Sequence, residues 1–328
     1  MNRIIVAGAR GFFGSTVVRL LRAVGCAPLT SSRRPGGDLV LDVENRTSIR
    51  NTIRPCDVLV DATAPFQKRT AMLVDEAIAV GADVIDLSDS LAYSRIVWTR
   101  DSAARARGVR ILNSCSSVSV LSAFAIERSR IRDPIACHGF LAPATRHTAN
   151  RGAAESLLAS VGQSITVWRS GQFVSLPGWT EVHQFAALKR SGHLMEMADA
   201  FTLPRVYPSL RNVDFWVDPN TRGAGVLLSI LARVPAFSPL ARHGLPLARI
   251  LGSNEGILAY EIEGEKGEQS NVAFTGRDSF LMAAIPAALA ASRLSSGEPC
   301  PAGVVPVHQH IDGVALAAAL TRYGIRIL

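Results

Sequence analysis

Three glycines near the N-terminus constrain the fold of this chain more than any other feature. They are Gly8, Gly11 and Gly14, and they directly follow the apolar run Ile4-Ile5-Val6-Ala7. An amphipathic stretch over 15–24 comes next. This order predicts a strand, a tight turn and a helix, which is how a dinucleotide-binding fold begins.

Each glycine in this turn has a separate physical role. Gly8 permits a sharp turn with positive φ, Gly11 lets backbone approach a pyrophosphate, and Gly14 lets the helix pack closely on the strand. The helix N-terminus then offers free N–H groups and a positive dipole end to the anion. An ordinary structural turn is the alternative, but the preceding strand and following helix favour cofactor binding. The predicted contacts here are Gly8, Arg10, Gly11, Phe12, Phe13 and Gly14.

The composition is apolar for a protein outside the membrane, yet it predicts no membrane span. Hydrophobic residues make up 48% of the 328 residues and the mean hydropathy is +0.21, but no uninterrupted apolar run reaches the roughly 18 residues of a span. Prolines and arginines break the longest candidate, 223–250, which we interpret as a buried or interfacial helical region. The chain begins with a strand rather than a secretion signal, and its five cysteines form no CxxC pair. We therefore expect a cytoplasmic protein with reduced thiols.

The chain is strongly basic, with a formal net charge of +8 and a pI of about 9.8. Nearly all of this charge is arginine, because only Lys68, Lys189 and Lys266 are lysines. The arginines are scattered, and no zinc-finger, homeodomain or RNA-binding signature is present. We interpret the charge as attraction for an anionic cofactor or substrate rather than for nucleic acid.

Residues 1–122 alternate between strand-like and helix-like patterns, which predicts a doubly wound parallel sheet of the Rossmann type. The apolar run that ends at Asp61 is typical of a strand buried inside such a sheet. The predicted strands are 3–7, 27–31, 39–42, 57–61, 83–87 and 109–112, and the predicted helices include 46–53, 69–80 and 94–107.

The pattern changes after residue 122. Spacings lengthen over 123–278, where we predict a second α+β domain with a mixed or antiparallel sheet, used for substrate binding or dimerisation. Its predicted strands are 135–142, 165–169, 172–175 and 212–217, with a hairpin over 256–263 and 270–275. Residues 279–328 are predicted as C-terminal helices, 279–292 and 312–323, that return to the first domain.

The segment after the second strand distinguishes NADP from NAD. NAD-binding proteins usually place an acidic residue there for the ribose hydroxyls, whereas NADP-binding proteins supply small polar and basic groups for the 2′-phosphate. Here the sequence over 30–34 is TSSRR, with no acid. Guanidinium groups match phosphate geometry, so we predict NADP(H), bound by Ser32, Arg33 and Arg34. An exposed basic loop is the alternative.

The ends of the other predicted strands line the same edge of the sheet, because ligands bind beyond the carboxyl ends of parallel strands. Asp42 is predicted to meet the adenine edge, with a turn or capping role as the alternative. Further predicted cofactor contacts follow strands four, five and six: Ala62, Thr63, Ala64, Ser88 and Ser114.

Together these segments resemble the saccharopine dehydrogenase-like oxidoreductases. The matching segments are GARGFFG at 8–14, SSRR at 31–34, LDVEN at 41–45, DATAPF at 61–66, GADVIDLSD at 81–89, SCSSVSVLSAFA at 114–125, and the C-terminal stretches TGRDSFLMAAIPAALAASRLSSG and GVVPVHQHID. The resemblance covers essentially the whole chain, and the C-terminal stretches are similar to those of bacterial members. It implies NADP binding, a second domain that often dimerises, and hydride transfer at carbon–nitrogen bonds. We find no clear arginine clamp for an amino diacid in the second domain, so lysine-pathway activity is not expected.

Few residues are candidates for moving a proton to or from the substrate. The Tyr-x-x-x-Lys pair of short-chain reductases is absent, which argues against that family. The predicted catalytic candidates are Asp89, Tyr93, Cys115 and His183, with His147 considered beside them. Each alone is more often structural than catalytic. His308-Gln309-His310 suggests metal binding, but no other ligand cluster accompanies it, so we predict no metal site.

The sequence favours an NADPH-dependent reductase acting on a C=N or C=O bond of a small metabolite. The alternatives are a trans-acting enoyl reductase on a lipid or polyketide substrate, and an NADP-binding regulatory protein without catalysis. A membrane-surface lipid enzyme that uses 223–250 is a further possibility. A homodimer is expected from the resemblance.

Overall fold

The computed structural model describes residues 1–148, 160–221, 223–233 and 251–328. The chain divides into two compact units. The first comprises Met1–Leu121 and Phe280–Ala319, and the second comprises Ser122–Ser279 and Leu320–Leu328. The domain boundaries derived from the sequence stay a prediction.

Sixteen strands and eleven helices are defined in the described residues. The strands are β1 Ile4–Ala7, β2 Leu29–Ser32, β3 Leu39–Val40, β4 Val58–Asp61, β5 Asp83–Asp86, β6 Arg110–Leu112, β7 Pro134–Ala142, β8 Ser164–Arg169, β9 Gln172–Pro177, β10 Val182–Phe185, β11 Arg190–Met195, β12 Asn212–Val217, β13 Gly256–Gly264, β14 Gln269–Gly276, β15 Gly303–Val304 and β16 Arg326–Ile327. The helices are α1 Phe12–Ala23, α2 Arg46–Thr52, α3 Met72–Val80, α4 Leu91–Trp98, α5 Asp101–Ala106, α6 Ser122–Ser129, α7 Thr145–Thr148, α8 Asp199–Val206, α9 Ala224–Arg233, α10 Ser279–Ser295 and α11 Gly313–Arg322.

The first unit contains a seven-stranded parallel sheet in the order β15-β6-β5-β4-β1-β2-β3. Strands β1, β4 and β5 are buried at every position, as expected for strands covered on both faces. Ile5, Leu59, Val84 and Ile111 form the centre of its core. The strand order reverses between β1 and β4, and such a reversal is where doubly wound sheets bind ligands.

The C-terminal part of the chain completes this sheet. Gly303–Val304 pairs in parallel with β6, and the Asn2 amide donates to the Ser295 carbonyl at 2.8 Å. The last nine residues group instead with the second unit, where Arg326–Ile327 pairs with β14.

The second unit contains a mixed nine-stranded sheet. Its main path runs β10-β11-β12-β7-β13-β14-β16, with β8 pairing to β12 and β9. Strands β7 and β12 are parallel neighbours, while the hairpin of β13 and β14 is antiparallel. One face of the sheet carries an apolar core that includes Phe140, Phe185 and Trp216.

Some elements differ from the sequence predictions. The single helix expected over 94–107 is two helices, α4 and α5, and α4 begins earlier because Ser90 caps it by accepting from the Tyr93 amide. The helix expected from residue 69 begins at Met72. Strands β10 and β11 were not predicted. Of the apolar region 223–250, the structure contains helix α9, while 234–250 lie outside the described residues. Among the described helices, none has the length and apolarity needed to cross a membrane.

Candidate functional site

The glycine turn at the end of β1 leaves no room for side chains. Gly8 has φ +74°, and a Cβ there would lie 2.9 Å from the Ala62 carbonyl oxygen. A Cβ on Gly14 would lie 2.2 Å from the Gly8 carbonyl oxygen, which no real side chain tolerates. The turn is therefore built against the end of β4, at the reversal point of the strand order.

The first turn of α1 is open to an anion. The helix begins at Phe12, three residues earlier than predicted, with Gly11 as its N-cap. Within this fully described part of the chain, no side chain caps the helix and no acidic residue lies in its first turn. Because the first N–H groups of a helix lack internal partners, they and the helix dipole favour a negatively charged group here.

The aromatic residues of the turn pack against α10. Phe12 stacks on Phe280 with ring centroids 5.3 Å apart, and Phe13 meets the same ring edge-on at 4.9 Å. These contacts, all within the first unit, anchor the start of α1. They engage the rings of two residues that were predicted to contact the cofactor.

Three arginines surround the loop between β2 and β3. Arg33 and Arg34 are exposed, and the Ser32 hydroxyl donates to the Arg34 carbonyl at 2.5 Å. Arg10 reaches across from the glycine turn, where its guanidinium donates to the Pro35 carbonyl at 3.4 Å. The role of Arg10 follows from the tertiary structure, since it lies 25 residues from Pro35.

The nearest acid in this loop points away from its basic end. Asp38 accepts from both the amide and the hydroxyl of Thr30, at 2.8 and 2.7 Å. These hydrogen bonds lower the pKa of Asp38. Because Thr30 is in the middle of β2, this carboxylate is held beside the strand rather than beyond its carboxyl end.

Asp42 is tied into the turn that follows β3. Its carboxylate accepts from the Glu44 amide at 3.1 Å, and its own amide donates to the Ser48 hydroxyl at 2.9 Å. This is the turn role that stood as the alternative to contact with adenine, and the adenine contact stays a prediction.

A buried ionic network lies at the end of β4. Arg69 donates to Asp61 at 2.8 Å and to the Thr63 carbonyl at 3.0 Å, and it also pairs with Glu44. Burial opposes the charge on Arg69, but Asp61 more than offsets burial and raises the pKa of the guanidinium. The network holds Thr63 in place, while the neighbouring predicted contacts Ala62 and Ala64 are half-buried and exposed. Sequence reasoning missed Arg69.

The ends of β5 and β6 are joined through Asp86. Its carboxylate accepts from the amides of Ser88 and Ser114, at 3.0 and 2.9 Å, and from the Asn113 side chain at 3.0 and 3.2 Å. Burial raises its pKa to about 6, even though these donors act in the opposite direction. Ser88 and Ser114 are fully buried, so their side chains belong to this network.

The catalytic candidates in the first unit differ in accessibility. Asp89 is half-buried and accepts from the exposed Gln67 at 3.2 Å. Tyr93 is 1% exposed and packs on Phe66, and its hydroxyl has no hydrogen-bond partner among the described residues. Burial, followed by the charges of Asp86 and Asp61, raises the pKa of Tyr93 well above its usual value. Of the two, only Asp89 is accessible to a ligand.

Cys115 is fully buried. Burial and the nearby Asp86 raise the pKa of its thiol well above the usual value, so the thiol stays protonated. A nucleophilic cysteine needs the opposite, a lowered pKa and access. These features favour a core position for Cys115.

His183 lies on β10 of the second unit, in a cluster of ionisable groups. Its Nε2 is 3.0 Å from Glu261, and its ring is 5.3 Å from that of His138. His138 in turn is hydrogen-bonded to Asp214 at 2.6 Å. The sequence singled out His183 alone, because the partners come from three other strands. His147 belongs to α7, and its side chain lies outside the described part of the structure.

Metal-ligating groups do not assemble in the part of the chain that is described. No three His, Cys, Asp or Glu side chains there are arranged to hold an ion. Burial lowers the pKa of His308 to about 4 and also lowers that of His310. Both histidines are therefore neutral at pH 7.

Comparison with known proteins gives a structural similarity only. A scan against protein-family models finds no matching family, and a search of curated proteins finds no match. Among solved structures, the chain is similar to apo saccharopine dehydrogenase (L-Glu forming) from Saccharomyces cerevisiae, with a TM-score of 0.60 and 13% identity, over 100% of this chain and 99% of that chain. The chain has a saccharopine dehydrogenase-like fold.

Two other solved structures align over similar lengths at lower TM-scores. One is a meso-dapdh mutant with DAP from Clostridium tetani, with a TM-score of 0.45, 14% identity, and 98% and 99% of the two chains covered. The other is the WlbA dehydrogenase from Thermus thermophilus in complex with NAD and α-ketoglutarate, with a TM-score of 0.41, 11% identity, and 96% and 94% covered. The predicted fold class, a Rossmann-type parallel sheet plus a second mixed sheet, is confirmed.

Proposed function

We propose that this protein is an oxidoreductase that binds NADP(H) in its first unit. The observation that carries the proposal is the glycine turn, where Gly14 packs against the Gly8 carbonyl and opens the N-terminus of α1 at the strand-order reversal. A pyrophosphate placed there would be bound by backbone amides and the helix dipole. The fold shared with a saccharopine dehydrogenase supports the same conclusion.

The preference for NADP over NAD rests on charge. Arg33 and Arg34 are exposed in the loop after β2, and Arg10 contacts the same loop. The acid of this loop, Asp38, accepts hydrogen bonds from Thr30. Three guanidinium groups suit a 2′-phosphate, which carries negative charge. The free ribose hydroxyls of NAD are instead usually bound by an acidic residue.

Calorimetric titration with NADPH and with NADH tests this preference. Arg33→Ala should weaken NADPH binding roughly tenfold to a hundredfold, because it removes a charge-assisted hydrogen bond. Binding of NADH should change less than about twofold. Arg54→Ala is the matched control, since Arg54 is exposed but precedes β4 and so lies at the opposite edge of the sheet. Wild-type protein that binds NADH as tightly as NADPH would refute the preference.

The proposed reaction is hydride transfer to a C=N or C=O bond of a small metabolite. Hydride transfer needs the nicotinamide and the substrate held in line, and an iminium substrate needs no protein acid. Asp89 is the candidate of the first unit that a substrate can reach, and His183 is the candidate of the second.

NADPH oxidation with panels of imines, ketones and enoyl thioesters tests the class of substrate. Turnover only with enoyl substrates would favour the trans-acting enoyl reductase.

A non-catalytic NADP-binding protein is the second candidate function. It is favoured by the burial of Tyr93 and Cys115, which removes two of the four catalytic candidates from contact with a substrate. Tight NADPH binding without turnover on any panel would support it. We also propose that the protein is a cytoplasmic homodimer. Light scattering combined with size-exclusion chromatography would measure the mass of the particle and so test the dimer.

A further inference from the structure

The loop between β2 and β3 is closed at its base by short contacts. Thr30 donates to Asp38 from its amide and from its hydroxyl, at 2.8 and 2.7 Å. A Cβ on Gly37 would lie 2.9 Å from the Thr30 carbonyl oxygen, so the returning backbone packs directly against β2. The base of the loop is therefore fixed, and the exposed residues 33–36 form its tip.

Arg10 is placed beside this tip by the glycine turn. The Ala9 amide donates to the Ser31 carbonyl at 3.2 Å, which ties the turn after β1 to the end of β2. Because β1 and β2 are parallel neighbours, the turn and the loop lie at the same edge of the sheet. The side chain of Arg10 then reaches the Pro35 carbonyl, to which Nη1 donates at 3.4 Å.

Gly36 is the position against which the guanidinium of Arg10 lies. A Cβ on Gly36 would be 2.8 Å from Nη1 of Arg10 and 3.6 Å from its Cζ, and the first distance is shorter than real Cβ contacts. Gly36 also has φ +125°, a conformation that strains residues with a side chain. The missing side chain therefore leaves the space that the Arg10 guanidinium occupies.

The guanidinium of Arg10 keeps most of its donors available. Its one hydrogen bond within the described residues is the long contact with Pro35, and an arginine has five N–H donors. Arg33 and Arg34, at the same loop tip, make no side-chain hydrogen bond or ion pair within the described residues. A phosphate group can accept hydrogen bonds from several guanidinium groups at once.

We propose that Gly36 determines the preference for NADP, because it admits Arg10 to the loop tip. There Arg10 completes a phosphate clamp, which consists of Arg10, Arg33 and Arg34. Gly36 is a positioning residue, since it acts through Arg10. A side chain at position 36 would displace the guanidinium, and the 2′-phosphate would lose one of its three partners. The phosphate clamp rests on the proposed NADP(H) site and names the residue that decides its selectivity.

A side chain at position 36 should alter cofactor binding more than folding. The atom that it would meet, Nη1 of Arg10, is the far end of a flexible and exposed side chain. Such a side chain can swing into solvent, whereas a backbone atom in the same place could not move without distorting the loop. Gly36→Ala is therefore expected to yield folded protein with the Arg10 guanidinium displaced.

Calorimetric titration of the full-length protein with NADPH, NADH and 2′,5′-ADP tests the role of Gly36. The last compound carries the 2′-phosphate without the nicotinamide. Gly36→Ala should weaken NADPH and 2′,5′-ADP roughly tenfold, because a charge-assisted hydrogen bond is lost. NADH should change by less than about twofold, since it has no 2′-phosphate. Equal weakening of NADPH and NADH would overturn the assignment, and so would unchanged binding of all three.

Gly25→Ala is the matched control for backbone strain. Gly25 has φ +83° in the turn after α1, and beyond its chain neighbours no atom lies within 4 Å of the Cβ that alanine would add. This variant shares the strained backbone of Gly36→Ala without the clash. Its ratio of NADPH to NADH affinity should equal that of the wild type. A ratio lowered as far as in Gly36→Ala would assign the effect to strain and would overturn the role of Gly36.

A double-mutant cycle shows whether Gly36 acts through Arg10. Arg10→Gln alone should weaken NADPH roughly tenfold and leave NADH within about twofold. In the Arg10→Gln background, Gly36→Ala should change NADPH affinity by less than about twofold, because the displaced side chain is already gone. Additive losses would mean that the alanine distorts the loop itself, which would overturn the assignment. If circular dichroism shows that Gly36→Ala does not fold, unchanged NADPH binding in Arg10→Gln would overturn the phosphate clamp.

The same titrations separate the role of Gly36 from the proposed function. Wild-type protein that binds neither dinucleotide would overturn both. Wild-type protein that prefers NADPH, together with Gly36→Ala that keeps the same preference, would overturn only the role of Gly36.

Discussion

At the scale of single residues, Asp86 connects the most parts of the candidate site. One carboxylate joins the end of β5 to Ser88, Asn113 and Ser114, all of them fully or nearly fully buried. Burial raises its pKa to about 6, from the ordinary value of 3.8. The charge is costly to bury, but the donors around it position the loops after β5 and β6.

This pKa predicts a specific pH dependence of stability. The pKa of Asp86 is higher in the folded state than in the unfolded state. Its contribution to folding stability is therefore largest below pH about 4, where the carboxyl is protonated in both states. Its contribution falls as pH rises to about 6, by on the order of 3 kcal/mol. Asp86→Asn should remove this fall, so the free-energy difference between wild type and variant, from urea unfolding, should vary between pH 4 and 6.

Asp38→Asn is the control for that measurement. Hydrogen bonds lower the pKa of Asp38, so its contribution changes with pH in the opposite direction. If the difference in unfolding free energy between wild type and Asp86→Asn is constant over this pH range, the carboxyl of Asp86 does not have a raised pKa in the folded state.

At the scale of elements, the second sheet aligns ionisable residues across three strands. His138 on β7 lies directly opposite Asp214 on β12 and Glu261 on β13. Cross-strand register alone brings these groups to one face, because directly paired residues point the same way. His183 joins them from β10, which is separated from β7 by two strands in the sheet order.

The His138–Asp214 pair predicts a second pH effect. Burial lowers the pKa of His138, but the hydrogen bond and charge of Asp214 outweigh burial and raise it above 6.5. The stabilisation is therefore complete below pH about 6.5 and is lost as pH rises through the folded pKa. His138→Gln should cost on the order of 1 to 3 kcal/mol at pH 6 and less at pH 9.

Urea unfolding at the two pH values measures this effect, with His193→Gln as the control. Burial lowers the pKa of His193, so the folded wild type loses stability at this residue as pH falls. His193→Gln removes this loss, so the variant should become more stable relative to wild type toward low pH, which is the opposite sign to His138→Gln. A cost for His138→Gln that does not decrease with rising pH would show that the pair contributes packing only.

At the scale of the whole molecule, the first unit is built from two distant parts of the chain. Phe280 packs on the start of α1, Ser295 accepts from Asn2, and β15 extends the sheet beside β6. The amide of Val304 also donates to Asp101 at 2.8 Å. The parallel sheet is therefore incomplete without residues 280–319.

A truncation tests this dependence. The fragment 1–121 should bind a hydrophobic dye and give a poorly dispersed amide NMR spectrum, because Phe12, Phe13 and β6 lose their partners. Joining 280–319 to it through a flexible linker should restore dispersion. A well-dispersed spectrum from 1–121 alone would show that this segment folds independently.

Local sequence patterns predicted much of the first unit. Buried strands such as β1 and β4 appear in the sequence as short apolar runs, which predicted them. The Gly8–Gly14 spacing predicted the turn and the following helix. The limits of α4 and α5, and the strands β10 and β11, were not predicted, because side-chain capping and long-range pairing determine them. Arg69 was missed because it lies outside the matching segments, although its partners Asp61 and Glu44 lie within them. The contact of Arg10 with the Pro35 carbonyl was not predicted, because the two residues are 25 positions apart in the sequence.

The sequence by itself determined the fold class and the chemistry available near the N-terminus. Apolar periodicity and glycine spacing are local properties, so they can be read without knowing which segments meet. Only the tertiary structure decided which candidates are accessible: it buried Tyr93 and Cys115, and it brought His138 and Glu261 into contact with His183. Burial and pKa depend on neighbours brought together by folding, and those neighbours are distant along the chain.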